Sequence, residues 1–379
     1  MAAAAVDDQA LDEIAALFVK FMELEDLGEI KEYLAITMRY DSLNNIFLLS
    51  QERYILKLLT EYGMDSAFKV QTPALESDKD KWNKEETALL NPKAHKQYQA
   101  LVGSLLYLMH ATRPDIAFAV IRSSQFSPKL RECHWQGLKR IVRYLKGTAG
   151  ACLVLGDVSK EKDAGLIGYF ASAHADNINN RSTCAYIFLL CGSPISWASK
   201  VQRTVALSTT EAELMVGTEA AREAIWIKGL TDVLFDLRLD NDKKGKSVDG
   251  VLKCELRGDN QGSLALSVNP VFHQCTKHIA IRHRFISDMV NDGVVTVTYV
   301  PSADMLADGL TKPLPRDIHA DHCARIGLRL HQDTPAINST LHAAYVTSLV
   351  KKRKLRCDEC GNLFADESAL NKHTLKKAS

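Results

Sequence analysis

Between residues 164 and 201 three short apolar runs, AGLIGYFA, STCAYIFLLCG and PISWASK, follow one another with only turn formers such as Asn179-Asn180 and Gly192-Ser193-Pro194 between them. Runs of that length, rich in β-branched and aromatic residues, predict three antiparallel strands. A stretch of helical periodicity follows from Ser208 to about Leu237, with Leu214, Ala221, Ile225, Ile227, Leu230, Leu234 and Leu237 marking its expected buried stripe. VLKCELRGD then reads as a fourth strand, NQGSLALSV and HIAIRHRFISDMVNDG as helices, and VVTVTYVPSA as a fifth strand. The resulting order, β-β-β-α-β-α-α-β-α, is that of an α/β domain with a mixed sheet.

The flanks have a different texture. Residues 9–60, Tyr98 to His110 and ECHWQGLKRIVRYLKG at 132–147 repeat apolar residues at three- and four-residue steps, which predicts an all-helical arm. From Arg316 a short helix is expected, then the polar HQDTPAINST, the basic run Lys351, Lys352, Arg353, Lys354 and Arg356, and a small module beginning at Cys357. The 47 basic and 46 acidic residues nearly cancel, so any nucleic-acid binding must be local. Nine cysteines in 379 residues without a charged-then-apolar leader argue against secretion and a disulfide framework, and a cytoplasmic or nuclear location is the expectation. The most apolar stretch, LVGSLLYLMHA, is about half of what spans a bilayer.

Several phrases in order, among them EDLGEIKEYL, LLSQERYILKLL, VGSLLYLMHATRPDIAFAV, HWQGLKRIVRYLKGT, RSTCAYIFLLCGSPISWASKVQRTVALSTTEAE, DNQGSLALSVNPVFHQCTKHIAIRHRF and LADGLTKPL, carry a resemblance. From about residue 14 to 328 the chain resembles the C-terminal part of copia-type retrotransposon polyproteins, a reverse transcriptase followed by ribonuclease H. The resemblance implies a ribonuclease H-like five-stranded mixed sheet with flanking helices over 151–318, preceded by a mainly helical reverse transcriptase remnant over 1–150. A linker with the basic run over 319–356 and an incomplete zinc finger of ββα type over 357–379 complete the expected organisation. It implies RNA–DNA hybrid or other nucleic acid as partner, association with other retroelement proteins, and magnesium or manganese as cofactor. Polymerase activity is not expected: AVDD at 5–8 echoes the polymerase turn but has no strand before it, and Asp7 and Asp8 also fit a solvated helix start.

Ribonuclease H chemistry uses paired magnesium ions ~3.5–4 Å apart, which require hard oxygen ligands from several elements. The resemblance assigns these to three aspartates and a glutamate. In STTEAEL, Ser208 and Glu211 have capping-box spacing, which leaves Glu213 as the ligand. Asp259 and Asp308 match the third and fourth positions, although a turn or N-cap aspartate would look the same. The first position is lost: Gly168-Tyr169-Phe170 is followed by Ala171, Ser172 and Ala173 where the pattern reads Asp-Ala-Asp. Asp176 lies five residues past Ala171, roughly 16 Å along an extended strand, and Asp163 precedes the strand, so neither is expected to substitute.

His273, Cys275, His278 and His283 are expected to meet phosphates or pack a helix, and His319, His322 and Cys323 to be scattered surface groups. Trp197, Trp226 and Tyr186 read as core aromatics; Lys200, Arg203, Lys277 and Arg282 as phosphate contacts or solvated charges. CDECGNLFADESALNKH gives Cys357, Cys360 and His373 the spacing of a classical zinc finger, but no second histidine follows, so zinc would be held by three protein ligands. Three functional expectations result. One is a truncated reverse transcriptase/ribonuclease H fragment with an impaired nuclease; the second is a nucleic-acid-binding protein using the ribonuclease H shell and the zinc-finger-like tail; the third is a retained active nuclease using a substitute carboxylate.

Overall fold

The computed structural model describes residues 30–78, 91–156, 165–177, 179–239, 254–268, 277–329, 355–356 and 363–364. Met1–Leu330 form one compact unit and His331–Ser379 a second.

In the first unit, β5 (Leu166–Ala173), β6 (Thr183–Leu190) and β7 (Ser193–Val201) make an antiparallel meander, as the turn-punctuated runs predict. β8 (Cys254–Gly258) joins the free side of β5 in parallel, and β9 (Val295–Tyr299) joins β8, giving the order β7-β6-β5-β8-β9. Parallel neighbours need crossovers. These are supplied by α5 (Thr209–Leu239) and by α6 (Gln261–Val268) with α7 (Lys277–Asn291). Three antiparallel strands extended by two parallel ones, with helices in the crossovers, constitute the ribonuclease H-like fold.

Because successive side chains of a strand point to opposite faces, β5 serves two cores. Leu166 and Phe170 pack with Phe188, Leu214, Ala220, Ala221, Ala224, Ile227 and Ile286 under α5 and α7. Gly168 permits this, since a Cβ there would lie 2.4 Å from the Phe188 ring. Ile167, Tyr169 and Ala171 face the other way, against Met305, Leu306, Ala307, Cys323, Ile326 and Leu328. The small residues of α5 let it approach the sheet closely and leave larger ones outside. Ile225, Leu230 and Trp226, expected in the core, are therefore exposed, Trp226 to 62%.

The N-terminal region departs from the sequence reading. Residues 9–29 lie outside the described residues, and 32–50, expected as helix, form strands: β1 (Glu32–Tyr33), β2 (Ile36–Asp41) and β3 (Ile46–Ser50). The turn chemistry decides it. The Asp41 carboxylate accepts from the Leu43 and Asn44 N–H groups, and Asn45 takes a left-handed φ of 55°, so the chain reverses and Tyr40 pairs with Phe47. The sheet continues through β4 (Cys152–Leu155) and ends at β10 (Leu328–Arg329), an antiparallel pairing of segments far apart in sequence.

Three helices appear where periodicity is expected, α1 (Glu52–Glu61), α2 (Pro92–Ala111, starting six residues before Tyr98) and α4 (Glu132–Gly147), and a further helix, α3 (Ala117–Ser124), lies between the last two. α2 begins with Pro92 after Asn91, whose side chain accepts from the Ala94 N–H at 2.9 Å. Tyr98, Leu101, Leu105, Leu108, Leu138, Ile141 and Leu145 make the core of this layer, which Ala185 and Leu310 enter from the nuclease-like layer. Trp197 adds a polar bridge, its indole N–H donating to the Met109 carbonyl at 2.7 Å. Among the described residues no helix is long and apolar enough to cross a membrane. In the second unit, β11 (Leu355–Arg356) pairs with β12 (Leu363–Phe364) in an antiparallel hairpin.

Candidate functional site

Glu211 closes the start of α5, as its spacing predicts. Its N–H donates to Ser208 Oγ at 3.1 Å while its carboxylate accepts from the Leu207 N–H at 2.7 Å. Glu213, one turn into the helix, is 5% exposed. Its Oε1 accepts from both the backbone N–H and the hydroxyl of Ser172, at 2.7 and 2.8 Å, while among the described residues its buried Oε2 has no hydrogen-bond partner. Burial pushes this carboxyl up to about 8; the Ser172 bonds oppose the rise, and the charges of Asp259 and Asp308 add to it. Glu213 thus feels two acids brought from distant parts of the sequence.

Asp259 follows the last residue of β8 and accepts from Ser302 Oγ at 2.8 Å. Asp308 sits in a 3-10 turn, Leu306–Leu310, whose backbone is held by Thr311 and Lys312 donating to the Asp308 carbonyl. Burial raises its carboxyl, the Lys312 ammonium 2.7 Å from Oδ2 opposes that, and Asp259 raises it further. The turn is pinned from below by α8 (Arg316–Arg325): His322 donates from Nε2 to the Leu306 carbonyl, and a Cβ at Gly309 would meet the His322 ring at 2.4 Å. Among the described residues, the three acids interact but are not gathered within 4.8 Å of one another.

Ala171 is 1% exposed, paired with Ala185, and immediately precedes Ser172. The strand position next to the Glu213 contact therefore ends in a methyl group. Asp176 does not join the acids, because its oxygens are already used: Oδ1 accepts from the Thr183 N–H at 2.7 Å and from the Asn177 amide, and Oδ2 accepts from Thr183 Oγ1. Asp163 lies outside the described residues. Glu213, Asp259 and Asp308 offer the hard carboxylate oxygens that a divalent cation takes, and their side chains would have to close up around one, because they are not gathered within 4.8 Å. For a second ion they offer no shared ligand from β5.

A second polar cluster corrects the reading of His319, His322 and Cys323 as surface groups: all three are buried. Their spacing, i, i+3 and i+4, is that of one helix face turned inward. The ligand atoms of Asp115, His319 and Cys323 lie within 4.8 Å of one another. The middle of the group is filled, however. Tyr144 Oη donates to Asp115 Oδ2 at 2.6 Å, lies 3.0 Å from His319 Nε2 and is 3.8 Å from Cys323 Sγ. Arg113 holds Asp115 in a bidentate pair at 2.9 and 2.7 Å and also donates to the Thr148 carbonyl and hydroxyl. Burial pulls the His319 imidazole down to about 4, so it is neutral and donates from Nε2 to the tyrosine oxygen. With Asp115 committed to a guanidinium and a phenol, these residues do not fit a metal.

Tyr186 is buried and Trp197 partly buried against the core, while Lys200 and Arg203 are exposed, the Lys200 ammonium lying over the Tyr186 ring. Arg282 is half-buried. His273 and Cys275, the side chains of Lys277, His278 and His283, and Cys357, Cys360 and His373 lie outside the described residues. Ser302 and Lys312, and the role of Ser172 in holding Glu213, do not follow from the sequence pattern; Lys312, four residues after Asp308, carries a local signal.

No family model matches the chain. Among curated proteins it is 37% identical over 304 residues to the retrovirus-related Pol polyprotein from transposon TNT 1-94 of Nicotiana tabacum, covering 79% of this chain and 21% of that protein. It is 40% identical over 284 residues to the Pol polyprotein from transposon RE1 of Arabidopsis thaliana, covering 74% and 18%. A putative transposon Ty5-1 protein of Saccharomyces cerevisiae is 30% identical over 222 residues, and the match takes in 58% of this chain and 70% of that one. The chain belongs to the transposon Pol polyproteins. It spans about a fifth of the length of the long Pol polyproteins it matches. Solved structures with some likeness include ribonuclease H1 from Halobacterium salinarum, 15% identical with a TM-score of 0.27 over 38% of this chain and 92% of that one. Another is the foamy viral protease-reverse transcriptase in complex with RNA/DNA hybrid, 16% identical with a TM-score of 0.35 over 60% and 27%. Likenesses so distant carry no argument; for this Pol polyprotein segment the strand order sets the fold.

Proposed function

We propose that this chain is the reverse transcriptase/ribonuclease H segment of a copia-type Pol polyprotein whose ancestral activity is metal-dependent cleavage of RNA in RNA–DNA hybrids, and that its cleavage centre is impaired by Ala171. In this reading Glu213, Asp259 and Asp308 are the remaining magnesium or manganese ligands, and Ala171 occupies the place of the carboxylate shared by both ions. Paired magnesium, when bound, would activate the attacking water and steady the leaving oxygen. The chain's own part is positional: Ser172 orients Glu213, Ser302 orients Asp259, and the turn pinned under His322 orients Asp308. The observation that carries the reading is that Ala171, buried and ending in a methyl, directly precedes Ser172, the strand residue whose N–H and hydroxyl hold the buried Glu213.

The test is cleavage of an RNA–DNA hybrid in magnesium and in manganese. The native chain is expected to cut at or near background and an Ala171→Asp variant to cut at least tenfold faster. Equal cutting by the two would refute the lesion.

A second reading, nucleic-acid binding through the ribonuclease H shell and a zinc-loaded tail, is supported by the β11–β12 hairpin that brackets Cys357 and Cys360. It requires zinc-dependent hybrid binding that is lost in His373→Ala.

A further inference from the structure

Lys312 is set apart from the other cations near the acids by where its charge lies. Its Nζ is 2.7 Å from Asp308 Oδ2, an oxygen that the proposed centre would offer to a divalent cation. The two partners differ in freedom: the Asp308 side chain is 18% exposed and the Lys312 side chain 46%. Asp308 is further fixed by its own backbone, because its carbonyl accepts from the Thr311 and Lys312 N–H groups and from Thr311 Oγ1. The ammonium ends a long flexible stem with solvent on one side. An ammonium and a divalent cation cannot both sit against one carboxylate oxygen without strong repulsion. The group that leaves is the one that is half in water.

We infer that Lys312 is the resident counter-ion of this carboxylate cluster and competes with divalent metal for Asp308. The inference rests on the metal-centre reading of Glu213, Asp259 and Asp308 and adds to it a residue that sets how readily the ion enters. Lys312 neutralises Asp308 while no cation is bound, which offsets the repulsion from Asp259, and swings outward when one arrives. The cost of breaking a partly exposed ion pair is then taken from the metal's affinity. Removing the ammonium while keeping the length of the side chain returns that cost.

The experiment is a manganese titration of the full chain, followed by the electron paramagnetic resonance signal of free Mn²⁺ at fixed ionic strength, with folding of each variant checked by circular dichroism. Lys312→Met is expected to bind manganese about two- to five-fold more tightly than the native chain, the span set by the worth of an exposed pair. Lys312→Arg should stay near the native value, and Asp308→Asn should bind more weakly than either. Arg316→Met removes the same charge four residues away and controls for net charge; it is expected to leave the affinity unchanged. Unchanged or weaker binding in Lys312→Met, or an equal gain in Arg316→Met, overturns the counter-ion role alone. No manganese binding by any variant, Ala171→Asp included, overturns it together with the metal-centre reading.

Discussion

The first unit holds two polar clusters, each built on a buried carboxyl, that look alike in outline and differ in one respect. Around Asp115, the partners of Arg113, Tyr144 and His319 form a continuous relay of donors and acceptors, with the guanidinium answering the one full negative charge. Around Glu213, three interacting acids are held by two serines and one half-exposed lysine, and among the described residues one buried oxygen has no partner. A buried carboxyl is common to both. What separates a structural network from a site that takes a ligand is whether its polar atoms are already answered.

The largest expected effect breaks the first cluster. Asp115→Ala leaves Arg113 buried and unpaired and should destabilise the full chain by about 3–5 kcal/mol in urea unfolding. Tyr144→Phe removes the hydroxyl that joins Asp115 to His319 and should cost about 1–3 kcal/mol. If either variant melts like the native chain, the relay does not hold the helical layer to α8.

pH sharpens the comparison, because the two clusters give slopes of opposite sign in metal-free buffer. His319 is held at about 4 against an ordinary 6.5, so the folded state refuses a proton that the unfolded chain accepts. Its stabilising effect is present above about 6.5 and is lost as pH falls toward 4. Glu213 is held at about 8 against an ordinary 4.5, so the folded state keeps a proton that the unfolded chain releases. Its effect is present below about 4.5 and is lost as pH rises through 8. Urea midpoints measured across this range should fall on both sides, and Glu213→Gln should remove the alkaline decline while leaving the acid one. The smallest expected effect is that same substitution at neutral pH with chelator: a change within about 1 kcal/mol, because an amide replaces a carboxyl that is already largely protonated.

Much of this comparison was legible before the structure. Alternating apolar runs bounded by turn formers give β5, β6 and β7, and the STTEAEL spacing separates the capping role of Glu211 from the inward position of Glu213. Over 32–50 the three- and four-residue repeats on either side mask the Asp41–Asn45 turn, so the pattern predicts helix where the chain forms β2 and β3. The β4–β10 pairing joins residues 152–155 to 328–329, a contact that no local pattern encodes. The Asp115 network was missed for the same reason. Arg113, Tyr144 and His319 come from three separate segments, although the i, i+3, i+4 stripe of His319, His322 and Cys323 would have marked that face as buried. Of the partners of the acids, Ser172 lies within the altered Gly-Tyr motif and Ser302 in none, and only the folded chain brings them to Glu213 and Asp259.

The most direct test of the distinction between answered and unanswered clusters is the anomalous scattering of crystals soaked in manganese. The account predicts a single ion held by Glu213, Asp259 and Asp308, with no peak at Asp115, His319 and Cys323. A peak at the latter cluster, or a fully liganded pair of ions beside Tyr169, would contradict it.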